Sequence, residues 1–212
     1  MSSPLFSMSE TFESIIGEST LSGFPALFVR FAGCNLRCAW CDTAYAYEPA
    51  YFSSGRQLYE KVKASRQKFV LFTGGEPLLQ PGLPDLINEI VSGCGKKVIL
   101  ETNGSVGIEN VNPGVHISMD CKPPSSREHQ KCLFGNFEIL KRTDDVKFVV
   151  EDRNDYEYSC RMIDAYDLEK RVNVVFQTVH GALDARRLAE WIVEDARPVR
   201  LNLQLHKYIG VK

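Results

Sequence analysis

Cys34, Cys38 and Cys41 fall within eight residues in a C-x3-C-x2-C pattern, on a segment that also holds Gly33 and Asn35. Three thiolates on one short loop can each take one iron of a cubane [4Fe–4S] cluster, whereas ordinary electron-transfer clusters use four cysteines. The missing fourth ligand leaves one iron open to a small molecule that brings its own amino and carboxylate groups. A structural zinc ion would ask instead for a fourth Cys or His at matching spacing. Cys94, Cys121, Cys132 and Cys160 are isolated, and none repeats a C-x2-C half-site. They read as small buried apolar residues. Three idle thiols crowded into one loop are the blandest reading of the trio.

Other residues have types that suit a site and also have plainer explanations. Gly74-Gly75-Glu76-Pro77 is by itself a turn. Beside a ligand, its glycines would let backbone approach closely and Glu76 could receive an ammonium. Arg30 sits in the apolar run FVRF, four residues before Cys34. It either faces solvent or grips a carboxylate with its planar fork. His206 is a lone histidine near the last residues, either structural or a substrate contact. Glu101-Thr102-Asn103-Gly104 ends in an Asn-Gly turn signal, which alone explains its polarity, although Thr102 and Asn103 could also line a site. Lys96 and Lys97 read as solvated, and Trp191 as part of a core or interface.

These residues need elements to position them. Residues 24–32, 68–73, 97–101, 115–119, 145–150, 172–176 and 199–205 read as strands. Residues 57–66, 83–92, 136–141, 155–165 and 184–194 read as helices. Alternation of this kind implies a parallel sheet, and the near-continuous apolar runs KVIL, KFVV and VVF suit strands covered on both faces. Six or seven units are too few for an eight-fold barrel, so a partial, open βα barrel is expected. Site residues should then sit at the C-terminal ends of strands. There lie the cysteines, Thr73 to Pro77, Glu101 to Gly104, Asp120 and Lys122, Gln177, and His206.

Composition sets outer bounds. The chain has 212 residues, 44% of them hydrophobic, enough for one domain with a real core. A net charge of -2 gives no global basic field for nucleic acid. Residues 1–10 lack the pattern of a signal peptide, and no run of about 18 apolar residues occurs. A soluble, cytoplasmic protein with no membrane partner is expected. Its odd cysteine count argues against a disulfide scaffold.

The cysteine motif, with aromatic Trp40 before the third cysteine and the Gly74 to Pro77 segment downstream, resembles the radical S-adenosylmethionine (SAM) superfamily. Within it, the chain is similar to the 7-carboxy-7-deazaguanine synthases. Residues 10–19, 28–38, 41–47, 122–126, 145–149 and 203–208 carry the likeness over nearly the whole length. The resemblance implies a single domain over 1–212, with 1–23 a substrate-binding extension. It implies a [4Fe–4S] cluster on Cys34, Cys38 and Cys41, and SAM held by Trp40, Cys41, Asp42, Gly75, Glu76, Ser118, Asp120, Cys121, Lys122, Gln177, Thr178, Val179 and His180. It places a pterin substrate on Ile15, Ile16, Gly17, Glu18, Arg30, Thr73 and His206, and Mg²⁺ on Thr43. The implied reaction contracts the ring of 6-carboxy-5,6,7,8-tetrahydropterin to 7-carboxy-7-deazaguanine with loss of ammonia, on the route to queuosine and related deazapurines. No protein residue acts as a nucleophile. A homodimer and an electron donor such as flavodoxin or ferredoxin are also implied. The family usually has Gln where this chain has Ile16, which removes one side-chain hydrogen bond to the substrate. Two other readings are a glycyl-radical-enzyme activase, which shares the cysteine spacing but acts on a protein, and a non-enzymatic metal-binding protein.

Overall fold

A computed structural model describes residues 4–212. The chain runs β1 (Leu5–Ile15), β2 (Pro25–Phe31), β3 (Tyr51–Ser54), α1 (Gly55–Ala64), β4 (Phe69–Gly74), α2 (Leu83–Gly93), β5 (Lys97–Thr102) and β6 (His116–Asp120). It continues through β7 (Asp145–Val150), α3 (Arg153–Ala165), α4 (Leu168–Arg171), β8 (Asn173–Thr178), α5 (Ala185–Glu194), β9 (Arg200–Leu201) and α6 (Leu205–Ile209). The strands form one sheet in the order β3-β1-β2-β4-β5-β6-β7-β8-β9. From β2 onward the pairings are parallel, and β1 and β3 add an antiparallel edge. The sheet stays open between β3 and β9, as the unit count led one to expect.

Side-chain alternation along the parallel strands divides the molecule in two. Val29 and Phe31, Val70 and Phe72, Val98 and Leu100, Val146 and Phe148, and Val174 and Phe176 face the helices. There they meet Leu58 and Val62 of α1, Leu86 and Ile90 of α2, Ile163 of α3, and Leu188 and Trp191 of α5. Alternate residues point to the other face, because successive strand side chains project oppositely. That face begins with an apolar floor of Ala26, Phe28, Phe69, Leu71 and Ile99, closed by Ile16. One step further along the strands it becomes polar, with Arg30, Thr73, Glu101, Asp120, Lys147 and Gln177.

Several expectations need correction. No strand is expected over residues 5–15, yet they form a long one. Phe6 and Met8 are fully buried at every second position, and antiparallel pairing with β2 satisfies the backbone. The first three residues of the 1–23 extension lie outside the described ones. The last strand is two residues long, rather than spanning 199–205. After it, Asn202 donates to the Ser19 carbonyl at 2.7 Å and the Leu205 N–H donates to the Gly17 carbonyl at 2.9 Å. These bonds draw the chain off the sheet, so His206 lies on α6 and not at a strand end. Gln177 lies within β8 rather than after it. The helix expected at 136–141 is a 3-10 segment at Phe134–Glu138, and α4 carried no recognised signal.

Candidate active site

A cavity of about 730 Å³ opens above the polar layer, a size that suits a cofactor and a small substrate together. Cys34, Cys38 and Cys41 all line it. Their loop follows β2 and is held from several sides. The Arg37 guanidinium donates to the Cys34 and Leu36 carbonyls at 2.7 Å each and lies 4.2 Å from the centre of the Tyr47 ring. The Arg37 N–H donates to Glu128 at 2.7 Å, and the Ala39 N–H to the Ser126 carbonyl at 3.0 Å. Burial pushes the Cys38 thiol up to about 11, so without a cation it stays protonated. Iron of a cluster would supply the charge that deprotonates it. Among the described residues, no three His, Cys, Asp or Glu side chains converge as a single ion requires. A cubane asks instead for thiols spread over three irons. The donor set therefore fits the cluster.

Gly74 and Gly75 bring a second loop against the first. A Cβ on Gly75 would meet the Gly33 carbonyl oxygen at 2.0 Å, and one on Gly74 would meet that of Phe31 at 2.3 Å, so neither position admits a side chain. Glu76 does not reach the cavity. It is fully buried, and accepts from Leu78 N at 3.0 Å, Thr102 Oγ1 at 2.9 Å and Asn103 N at 2.7 Å. Burial raises its pKa, while these donors favour the ionised form. Glu76 thus ties the glycine loop to the end of β5.

Beyond the cysteines lie the residues expected for SAM. Trp40 donates its indole N–H to Ser125 at 3.0 Å, and the Lys122 ammonium sits 5.0 Å from the centre of its ring. Lys122 also donates to Asp120 Oδ2 at 2.8 Å. Ser118 Oγ, Asp120 Oδ1 and Gln177 Oε1 are buried without hydrogen-bond partners. All three residues line the cavity, where a ligand rich in N–H and O–H groups would satisfy them. Asp42, Val179 and His180 also line it. Thr178 does not, and Cys121 is buried in the helix-side core.

The expected substrate residues gather around the same cavity. Arg30 donates Nε to Glu10 at 3.0 Å, leaving its terminal nitrogens for another anion. The Tyr45 hydroxyl donates to the same Glu10 oxygen at 3.0 Å. Ile15, Gly17, Glu18, Thr73 and His206 line the cavity, whereas the Ile16 side chain lies in the apolar floor. His206 packs where a Cβ on Gly17 would stand, 1.9 Å from Nδ1, and burial lowers its pKa. Burial raises the pKa of Glu101, which bonds to Thr73. Glu18 behaves oppositely. Burial opposes its ionisation, but the adjoining Lys147 ammonium outweighs it and holds the pKa low. Thr43 donates its hydroxyl to Asp42 at 2.8 Å, which places two oxygen donors side by side.

Sequence reasoning missed Lys147, Gln204 and Lys207. Gln204 donates to Glu18 at 2.8 Å, and Lys207 donates to both Gln204 and Asp42 at 2.8 Å. Lys147 was hidden inside the run DVKFVV. Its signal was parity, since it alternates with helix-facing Val146 and Phe148.

The model of the radical SAM superfamily matches residues 28–122. The 7-carboxy-7-deazaguanine synthase of Chlorobaculum tepidum is 39% identical over 95% of this chain and 93% of its own length. The enzyme of that name from Thermoplasma acidophilum is 37% identical over 95% and 96%. Among solved structures, QueE from Escherichia coli superposes with a TM-score of 0.80 at 24% identity, covering 95% of each chain. Archaeal TYW1 gives 0.56 at 16% identity, over 80% of this chain and 71% of that one. These two structures speak for the fold.

Proposed function

Because the chain belongs to the 7-carboxy-7-deazaguanine synthases, within the radical SAM superfamily, we propose that it converts 6-carboxy-5,6,7,8-tetrahydropterin to 7-carboxy-7-deazaguanine and ammonia. The observation that carries this reading is one cavity lined by two unlike sets of groups. Three thiols and three unpartnered polar atoms form one set, and Arg30, Glu18 and Glu101 the other. A cluster on Cys34, Cys38 and Cys41 with bound SAM would supply a radical that takes hydrogen from C6 of the pterin and later returns it.

The protein's own residues bind and orient. The free end of the Arg30 fork grips the substrate carboxylate. Glu18 and Glu101 accept from the amino and ring N–H groups of the pterin. Thr73 and His206 fill the remaining edges. Ile16 contributes its backbone and helps seal the floor beneath the pterin. Thr43, with Asp42 beside it, offers hard oxygen donors that suit Mg²⁺, a metal that keeps part of its shell for substrate and water. Asp120, Ser118 and Gln177 receive the donors of SAM, and Trp40 with Val179 flanks its adenine. The reaction is redox-neutral overall, since substrate and product differ by ammonia alone. A homodimer, a flavodoxin or ferredoxin donor and a cytoplasmic location complete the reading. It is compatible with the described helices, none of which is long and apolar enough to cross a membrane.

The test is anaerobic reconstitution with iron and sulfide, then incubation with carboxytetrahydropterin, SAM, Mg²⁺ and a reductant. Formation of 7-carboxy-7-deazaguanine without net loss of SAM is the expected result. Steady SAM cleavage with no deazapurine would refute it and return attention to the activase reading.

A further inference from the structure

The reaction as described leaves one buried cation without a task. Lys147, on β7, lines the cavity and is 8% exposed. Its ammonium donates to Glu18 Oε2 and lies 3.7 Å from Asp120 Oδ2. Glu18 follows β1 and is one of the residues assigned to the pterin. Asp120 ends β6, is one of those assigned to SAM, and is the register partner of Lys147 across the parallel pair. Each carboxylate has one further tether. Gln204 holds the other oxygen of Glu18 at 2.8 Å, and Lys122 shares Asp120 Oδ2 at 2.8 Å. Asp120 Oδ1 is left free for a ligand.

We infer that Lys147 is a positioning residue, bridging Glu18 to Asp120 so that the pterin-binding segment and the SAM-binding strand keep one mutual geometry. The inference rests on the reaction reading above. Stability alone explains the bridge poorly. Buried ion pairs gain little over well-packed apolar residues, because desolvation offsets their attraction. What such a pair does supply is a fixed position. The segment from Gly17 to Ser22 is also held by Leu21 on the apolar floor, by Asn202 on the Ser19 carbonyl, and by Thr20 on Asp145 at the far end of β7 from the cavity. Near the cavity, Lys147 is its contact with the parallel sheet, and a radical abstraction tolerates little drift. Misplacement by about 1 Å costs roughly a hundredfold in rate.

The bridge also governs protonation. Glu18 is faced by Lys147 from β7, by Gln204 and His206 from the tail, and at longer range by Asp42 of the cluster loop and Glu101 of β5. Without the lysine, Glu18, Glu101 and Asp120 would share one low-dielectric space and lose the ammonium that now faces all three. Glu18 would then take up a proton within the working pH range.

The experiment is a double-mutant cycle on the reconstituted holoenzyme with K147M, E18Q and K147M/E18Q. Turnover kinetics and calorimetric pterin affinity are both measured. K147M should lower kcat/KM for the pterin about 10- to 100-fold, through kcat as well as KM, with iron per chain unchanged. It should also gain an acidic limb in kcat/KM above about pH 6 that wild type lacks. In the E18Q background the lysine change should cost less than about threefold, because the bridge is already broken. Losses that multiply in the double variant, or a K147M pH profile like that of wild type, would overturn the inference. If K147M does not fold, K147Q is carried through the same cycle. Wild-type turnover reports on the reaction reading separately, and the calorimetric cycle reports on the bridge even if that reading fails.

Discussion

Replacing Glu76 by glutamine separates a ligand contact from a strut. Glutamine keeps one carbonyl oxygen for Leu78 N and Thr102 Oγ1 but turns an amide nitrogen toward the Asn103 N–H, which the carboxylate now accepts at 2.7 Å. One charge-assisted hydrogen bond, about 1.5–3 kcal/mol, is lost, and a buried donor is left facing a donor. Relief of the burial penalty that raises the Glu76 pKa offsets part of this. A net loss of about 2 kcal/mol remains, and at this chain length it lowers Tm by about 4–8 °C. The damage should spread to the cluster loop. Asn103 donates its side-chain amide toward Cys34 Sγ at 3.7 Å and to Asn35 at 3.2 Å, so its displacement loosens two loop residues. Thermal unfolding of the cluster-free protein reads the first effect, and iron per chain after reconstitution reads the second. A glutamine variant that melts within about 1 °C of wild type yet binds SAM tenfold more weakly would refute the reasoning. Glu76 would then be a ligand residue after all.

Three more outcomes follow from the geometry. G75A forces a methyl group to within 2.0 Å of the Gly33 carbonyl oxygen and 2.9 Å of Cys34 Cβ. Overpacking of this kind costs about 1–3 kcal/mol, and the variant should reconstitute poorly, as absorbance and iron analysis will record. R30K keeps the charge but loses the fork, so kcat/KM for the pterin should drop about 10- to 100-fold while SAM affinity holds; equal losses in both would count against it. Acid sensitivity tests Glu18. Its folded pKa lies below the ordinary 4.5, so its contribution to stability is complete above that value and is lost as pH falls below it. The apo protein should therefore lose Tm more steeply between pH 5 and pH 3 than E18Q does, and parallel curves would contradict the assignment.

Where the sequence had strong periodicity, it was a good guide. β7 spans the expected residues, and the parallel strands β2, β4, β5, β6 and β8 were each anticipated to within a residue or two. The cysteine loop and glycine loop were visible because their chemistry demands particular residue types at fixed spacing. The antiparallel edge was not, since the serines and glutamates interleaved in β1 mask Phe6 and Met8. The tail was misread for a different reason. Residues 199–205 have the composition of a strand, but β9 sits at the edge, where Asn202 and Gln204 find partners on residues 17–19 instead. Glu76 shows the limit of motif reading. Gly74 and Gly75 line the cavity while Glu76, next in the same segment, does not. Ile16 shows the converse, because a side chain packed in the floor can change without removing the backbone that surrounds the site.

The parity of the strands has a consequence for how such a protein changes over generations. Odd-numbered positions of β7 lie on the cavity side of the sheet while even-numbered ones meet the helices, and β8 follows the same rule. Selection on chemistry and selection on folding therefore act on separate letters of the same short words. A lineage can rewrite the cavity-facing letters for a new substrate while the helix-facing set goes on specifying the scaffold. Insertion of a single residue within a strand is the change this arrangement forbids, because it exchanges the two alphabets at once.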